Sequence, residues 1–155
     1  GYNSNEVGLD GANCVFENRL HPQSKDINQG VVGKGLDKYE GQQGAGDQGM
    51  MFGFACNETP TLMPAPVYYS HLLLHKAHQL RHDGEIKWLR PDAKSQVTVE
   101  YDENHKPVRI AAVVLSHQHD DNITHEEIEN TIINQVIKPV LEPTGLLDEN
   151  WWCRR

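Results

Sequence analysis

Cysteine is scarce and unpatterned in this chain. Cys14, Cys56 and Cys153 are odd in number and show no paired spacing, which points to neither a disulfide framework nor a zinc site. No apolar run approaches the roughly 20 residues that span a bilayer, so no membrane partner is expected. No basic start followed by an apolar segment suggests a secretory leader, and a reducing cytoplasm is the expected compartment. Positive charge is also short. Against 22 Asp and Glu stand 14 Lys and Arg, a net charge of −8, which argues against a nucleic-acid surface. A polyanionic ligand on such a chain would depend on local cations, metal ions among them. What remains is ordinary for a soluble globular protein: 155 residues, 37% apolar and 23% charged, with room for one domain and a real core.

Glycine, by contrast, is concentrated. Gly44-Ala45-Gly46-Asp47-Gln48-Gly49 places three glycines in six residues, allowing tight turns and close approach of a ligand to the main chain. As letters it fits the dinucleotide fingerprint Gly-x-Gly-x-x-Gly, which carries meaning only between a strand and a helix. The preceding Tyr39 to Gln43 is polar and glycine-broken, so no strand leads in. Met50 to Cys56 follows as a short apolar strand instead of a capped helix. The nucleotide-fold reading fails on context.

Along the chain, Gly1 to Arg19 is polar and small, with a short mixed segment at Asn13–Asn18, and reads as the tail of a preceding unit. His21 to Gln43 is a long polar interval containing Gly30, Gly33, Gly35 and Gly41, the pattern of a functional lid or a linker. Pro66 suits the first turn of a helix on which Tyr69, Leu73, Lys76 or Ala77, and Leu80 recur, ended by Asp83-Gly84. Val97, Val99 and Tyr101 alternate with polar residues as in a half-buried strand. Asp102 to Lys106 turns the chain, and Val108 to Ser116 returns as a second strand. Thr124 and Glu127 form a capping-box pattern before Ile128, Ile132 and Val136, and Pro139 is expected to end that helix. The predicted fold class is α+β, a largely antiparallel sheet with two helices on one face.

Three ordered stretches share an owner. Gly44 to Phe54 resembles the first signature of the S-adenosylmethionine synthetases (methionine adenosyltransferases), with Phe54 where that family usually has Tyr. Trp88-Leu-Arg-Pro-Asp-Ala-Lys-Ser-Gln-Val-Thr98 is similar to a second motif, and Gln23 to Gly30 resembles the family's mobile active-site loop, with Lys25 replacing a usual Pro. Asn57-Glu-Thr59 and Leu62-Met-Pro-Ala-Pro66 agree as well. The resemblance implies a unit repeated three times around a pseudo-threefold axis. It divides the chain into a tail of a preceding domain (1–22), the mobile loop and linker (23–43), a central domain (44–145) and a divergent or truncated tail (146–155).

By the same resemblance, the activity is formation of S-adenosylmethionine from ATP and L-methionine. The methionine sulfur attacks the ribose C5′, and the triphosphate leaves and is hydrolysed. A thioether needs no catalytic base, so the site must supply in-line placement and charge compensation. Asp47, which by residue type is either an anchor or a turn residue bonded to its own backbone, falls on the acid facing methionine. Gln23, otherwise an ordinary surface amide, falls on the lid's methionine contact. Asp92, Ala93 and Lys94 are expected in a loop just before a strand, and fall on ATP contacts, with Lys94 as the catalytic phosphate partner. Mg2+ and K+ are the implied cofactors, with ligands outside this chain. A homodimer or homotetramer is the implied assembly of the full-length protein.

Other candidates attract less. His71, His75, His78 and His82 share one helical face, and a pair at i, i+4 can bind zinc, but no third and fourth ligand completes a set. His117-Gln-His-Asp-Asp121 is ligand-rich, yet Asp120 and Asp121 are expected simply to complement the next helix N-terminus. Trp151 and Trp152 suit a docking patch or a non-native tail. The family's upstream His-Pro-Asp-Lys segment and its second glycine-rich signature do not occur here. The chain is therefore expected to be the central portion of a longer enzyme, inactive by itself. The alternative is a non-catalytic module that keeps only subunit-packing surface.

Overall fold

The structure is a computed structural model that describes residues 1–32, 38 and 41–154. It divides into two compact units, Asn13–Gly53 and the remainder, Gly1–Ala12 with Phe54–Arg155.

The larger unit is α+β. Its short antiparallel ribbon joins β1 (Asn3–Ser4) to β2 (Leu9–Asp10), with Gly8 turning between them at φ 93°. α2 (Ala65–His82) starts beside Pro66, whose missing N–H leaves nothing unsatisfied in a first turn. It ends at Asp83, followed by Gly84 at φ 76°, a conformation that disfavours residues with a Cβ. Leu73, Ala77 and Leu80 on its inner face are buried against β3 (Leu89–Tyr101). β3 pairs antiparallel with β4 (Pro107–His119) through the turn at Asp102, whose carboxylate accepts from the Asn104 and Lys106 amides at 2.9 and 2.8 Å.

The hairpin is not a regular ladder. Thr98 pairs with Ala112 but Val99 pairs with Ile110, so Ala111 is an extra residue on β4. That bulge resets the two-residue alternation. Val113 and Ile110, three apart, both point into the core, opposite Val97 and Val99.

The second helical run closes the core. Thr124 Oγ1 accepts from the Glu127 amide, and Glu127 Oε2 accepts in return from the Thr124 amide, the expected capping box. α3 (His125–Ile132) then passes into a π-helical turn at Ile133–Ile137 and on to α4 (Lys138–Leu141). Pro139 therefore does not end the helix. A proline cannot donate to the carbonyl one turn back, and the wider turn before it lets the run continue. It also keeps Ile132, Val136, Ile137 and Leu141 all turned inward.

A further expectation fails. Met50 to Cys56 forms no strand, and Met51 and Phe52 are 95% and 88% exposed. A strand needs a neighbour for its backbone groups, and among the described residues none pairs with this stretch. The tail at 146–155 contributes β5 (Trp152–Arg154), which pairs parallel to β4 from Ala112 to Val114. Trp151 packs against the core there instead of facing outward as a docking patch. Arg109 secures the approach, binding Asp148 at 3.0 Å and Glu100 at 3.3 Å.

In the smaller unit, part of the polar interval folds. Ser24 caps α1 (Lys25–Val31) by accepting from the Ile27 amide at 3.4 Å. Lys25 occupies the first helical position, one that suits the Pro it replaces in the resembling motif equally well. The rest of the expected loop at residues 33–37, 39 and 40, with Gly33, Gly35 and Leu36, lies outside the described residues. Among the described residues, no helix is long and apolar enough to cross a membrane.

Candidate active site

The glycine stretch is shaped by α1. Gly44 donates its amide to the Val31 carbonyl at 3.3 Å, and a Cβ on Gly44 would lie 2.1 Å from the Gly30 carbonyl oxygen. A Cβ added at Gly46 would meet the Ile27 and Val31 side chains at ordinary contact distance. Glycine is thus required at position 44 by close backbone approach. The segments carrying Gln23 and Asp47 are packed together by these contacts. Gln23 immediately precedes the Ser24 cap, and both it and Asp47 are exposed. One Asp47 oxygen accepts from the Gln48 amide at 2.7 Å, the local turn contact that aspartate favours.

Asp92, Ala93 and Lys94 belong to the larger unit, and they lie within β3, not in a loop before it. The sequence suggested a loop because Pro91 lacks an amide hydrogen. The register irregularity between Leu89 and Ala93 tolerates that loss, as bulged positions do. Strand geometry sorts the three. Asp92, Lys94 and Gln96 are exposed on the sheet's outer face, while Ala93 and Ser95 turn towards the helices, where Ser95 Oγ donates to the Ser70 carbonyl at 2.7 Å. A ligand on the outer face meets the side chains of Asp92 and Lys94 and only the backbone of Ala93.

Opposite them on β4 are Ser116, paired with Lys94, and His117, paired with Ala93. Burial holds the His117 imidazole below its ordinary pKa, with the positive charge of Arg81 adding to the effect. Its contact with the Gln118 carbonyl at 3.0 Å and the charge of Asp92 oppose it. Asp120 does not serve the helix N-terminus as expected. It forms a half-buried ion pair with Arg90, on a cleft of about 210 Å³ that Gly8, Gln118, His119 and Asp121 also line. Arg90 sits at the head of β3 and Asp120 just past the end of β4. Since the pairing of the two strands sets this contact, no local pattern in the letters announces it.

Sequence reasoning missed a second site of organisation. Glu58 Oε2 accepts from the Ala65 amide at 2.8 Å and from the Tyr101 hydroxyl at 2.7 Å. These donors, the amide first, hold the Glu58 carboxyl below its usual range. Glu58 and Tyr101 line an open cleft of about 620 Å³ with Phe54, Cys56, Asn57 and His105. Its only signal in the letters is a glutamate shortly before the Pro64-Ala65-Pro66 helix start.

His71, His75, His78 and His82 are all exposed along one side of α2. Among the described residues, no group of three or more His, Cys, Asp or Glu gathers to hold a metal ion.

The pattern of the S-adenosylmethionine synthetase central domain matches residues 42–152. S-adenosylmethionine synthase of Treponema denticola is 57% identical over 150 residues, covering 97% of this chain and 38% of the relative. S-adenosylmethionine synthase of Treponema pallidum (strain Nichols) is similar to the same degree and over the same shares. This chain thus spans well under half the length of the curated relatives it matches. A match over most of the chain, carried at this identity, establishes that the chain belongs to the S-adenosylmethionine synthetase family, with residues 42–152 as its central domain.

Proposed function

We propose that this chain supplies the methionine-facing loop and one ATP-binding strand of a methionine adenosyltransferase. The observation that carries the reading is the 57% identity to S-adenosylmethionine synthases across 97% of the chain. Asp47 anchors the methionine ammonium group from a backbone that glycine lets approach closely, and Gln23 contacts the same substrate from the loop ahead of α1. The methionine sulfur then attacks ribose C5′, a carbon–sulfur bond forms, and the C5′–oxygen bond breaks. The departing triphosphate is later hydrolysed.

Lys94 compensates charge on the leaving triphosphate as a compact cation. Its exposure on the sheet's outer face, beside Asp92, supports that role. Ala93 contributes through its backbone, since its side chain faces the helices. The described residues gather no ligand set for the Mg2+ and K+ that the resemblance implies. These ions would bring further positive charge to the triphosphate, beyond what Lys94 supplies. The segment 23–43 acts as the lid, closing over the reacting centre. The working assembly is a cytoplasmic homodimer or homotetramer of the longer protein.

The chain by itself turns over little, because it spans 38% of the relatives' length. Grafting it in place of the matched stretch of the Treponema denticola enzyme is the test. The graft should form S-adenosylmethionine from ATP and methionine at a rate comparable to its parent, while the isolated chain does not. A graft that folds and assembles yet is inert overturns the assignment. Full turnover by the isolated chain overturns the dependence on the remaining length.

A further inference from the structure

The histidines of α2 are unused by the reaction above, and their arrangement has chemistry of its own. At 100° per residue, His71, His75, His78 and His82 fall within one narrow stripe, and all four are exposed on an 18-residue helix packed firmly by its opposite face. Two histidines at i, i+4 on a rigid helix can close on one cation through their Nε2 atoms.

The lower pair is better prepared than the upper. The His78 and His82 rings stand 6.1 Å apart between centroids and are tilted 35° to one another, a small rotamer adjustment from chelation. His82 also has an outer partner, its Nδ1 lying 3.5 Å from Asp83 Oδ1. A carboxylate beside Nδ1 favours the tautomer that carries the proton there and leaves Nε2 as the open lone pair. Arg81 acts against the site. Its Nη2 lies 3.5 Å from His78 Nδ1, but the side chain is long enough to swing into solvent.

We propose that His78 and His82 form an open two-imidazole chelate for a borderline divalent transition cation, with Asp83 orienting His82. Water completes the coordination shell, which agrees with the lack of any larger ligand group among the described residues. Imidazole nitrogen selects Zn2+ or Ni2+ over the hard, oxygen-seeking Mg2+, so this site is chemically separate from the ions of the proposed reaction.

Calorimetric titration of the chain with Zn2+ tests it, in a histidine-free buffer and with folding checked by circular dichroism. A single class of site is expected, kept in a His71→Ala/His75→Ala variant. His78→Ala or His82→Ala should each weaken it by about tenfold or more, and Asp83→Asn by a smaller factor, as loss of an outer partner does. All these side chains are exposed, so the variants keep the fold. Absence of Zn2+ binding to the unaltered chain, or undiminished binding in a His78→Ala/His82→Ala variant, overturns the proposal. Undiminished binding in Asp83→Asn overturns the orienting role of the carboxylate.

Discussion

Tyr101 and Glu58, 43 residues apart in sequence, meet at 2.7 Å, and the same glutamate oxygen accepts from the first amide of α2. One carboxylate thereby fastens the end of the β3 strand to the start of the helix that covers it. Desolvation, then the hydrogen bond to Glu58, pushes the Tyr101 hydroxyl up to about 12. Because the folded pKa is raised, the stability it represents is complete below the ordinary tyrosine value and disappears as pH rises through about 12. Glu58 behaves in the opposite sense. Its folded pKa is lowered, so its share is present above 4.5 and is lost as pH falls through the folded value. Tyr101→Phe should cost about 0.5–1.5 kcal/mol at neutral pH, the net worth of one hydrogen bond. It should also remove the tyrosine part of the alkaline loss, as read by urea unfolding across pH.

Gly44→Ala and Gly49→Ala make a matched pair. At Gly44 the added carbon meets the Gly30 carbonyl oxygen, a backbone atom that cannot move without displacing α1. At Gly49 nothing lies within 4 Å and no positive φ is required. The first substitution should cost about 1–3 kcal/mol of local stability, the usual range for overpacking, and the second far less. Hydrogen exchange at the Val31 and Gly44 region reads the difference.

Thr124→Ala removes the acceptor for the Glu127 amide and the hydroxyl that donates to Glu127 Oε2 at 2.6 Å, while the backbone amide at 124 still reaches that carboxylate. The loss should be about 1 kcal/mol, typical of an N-cap, and visible as a lower Tm. Glu127, held below its ordinary pKa by Thr124, takes its contribution to the box away as the solution is acidified.

The letters of this chain reveal best those elements whose signals are local. The α2 periodicity ending at Asp83-Gly84, the Thr124–Glu127 box and the Asp102 turn are each set within a few residues, and each stands where expected. The failures involve partners distant in sequence. Met50–Cys56 has a strand's composition but no neighbouring strand to pair with among the described residues, and β5 depends wholly on the edge that β4 offers. Pro91 and Pro139 look like breaks, yet a register irregularity and a π-turn absorb them. The Arg90–Asp120 pair and the Glu58–Tyr101 link are written by strand pairing, so single-stretch patterns cannot show them. For the candidate site, motif likeness proposes Gln23, Asp47 and Asp92–Lys94, but only strand alternation separates Asp92 and Lys94 from Ala93.

The most direct measurement concerns Lys94. In the grafted enzyme, Lys94→Ala should lower kcat by about 10²–10³-fold, the scale of losing one charged contact that acts on the leaving group. The KM for methionine should change little, since that substrate is gripped elsewhere. An unchanged kcat in a folded Lys94→Ala graft would contradict the account.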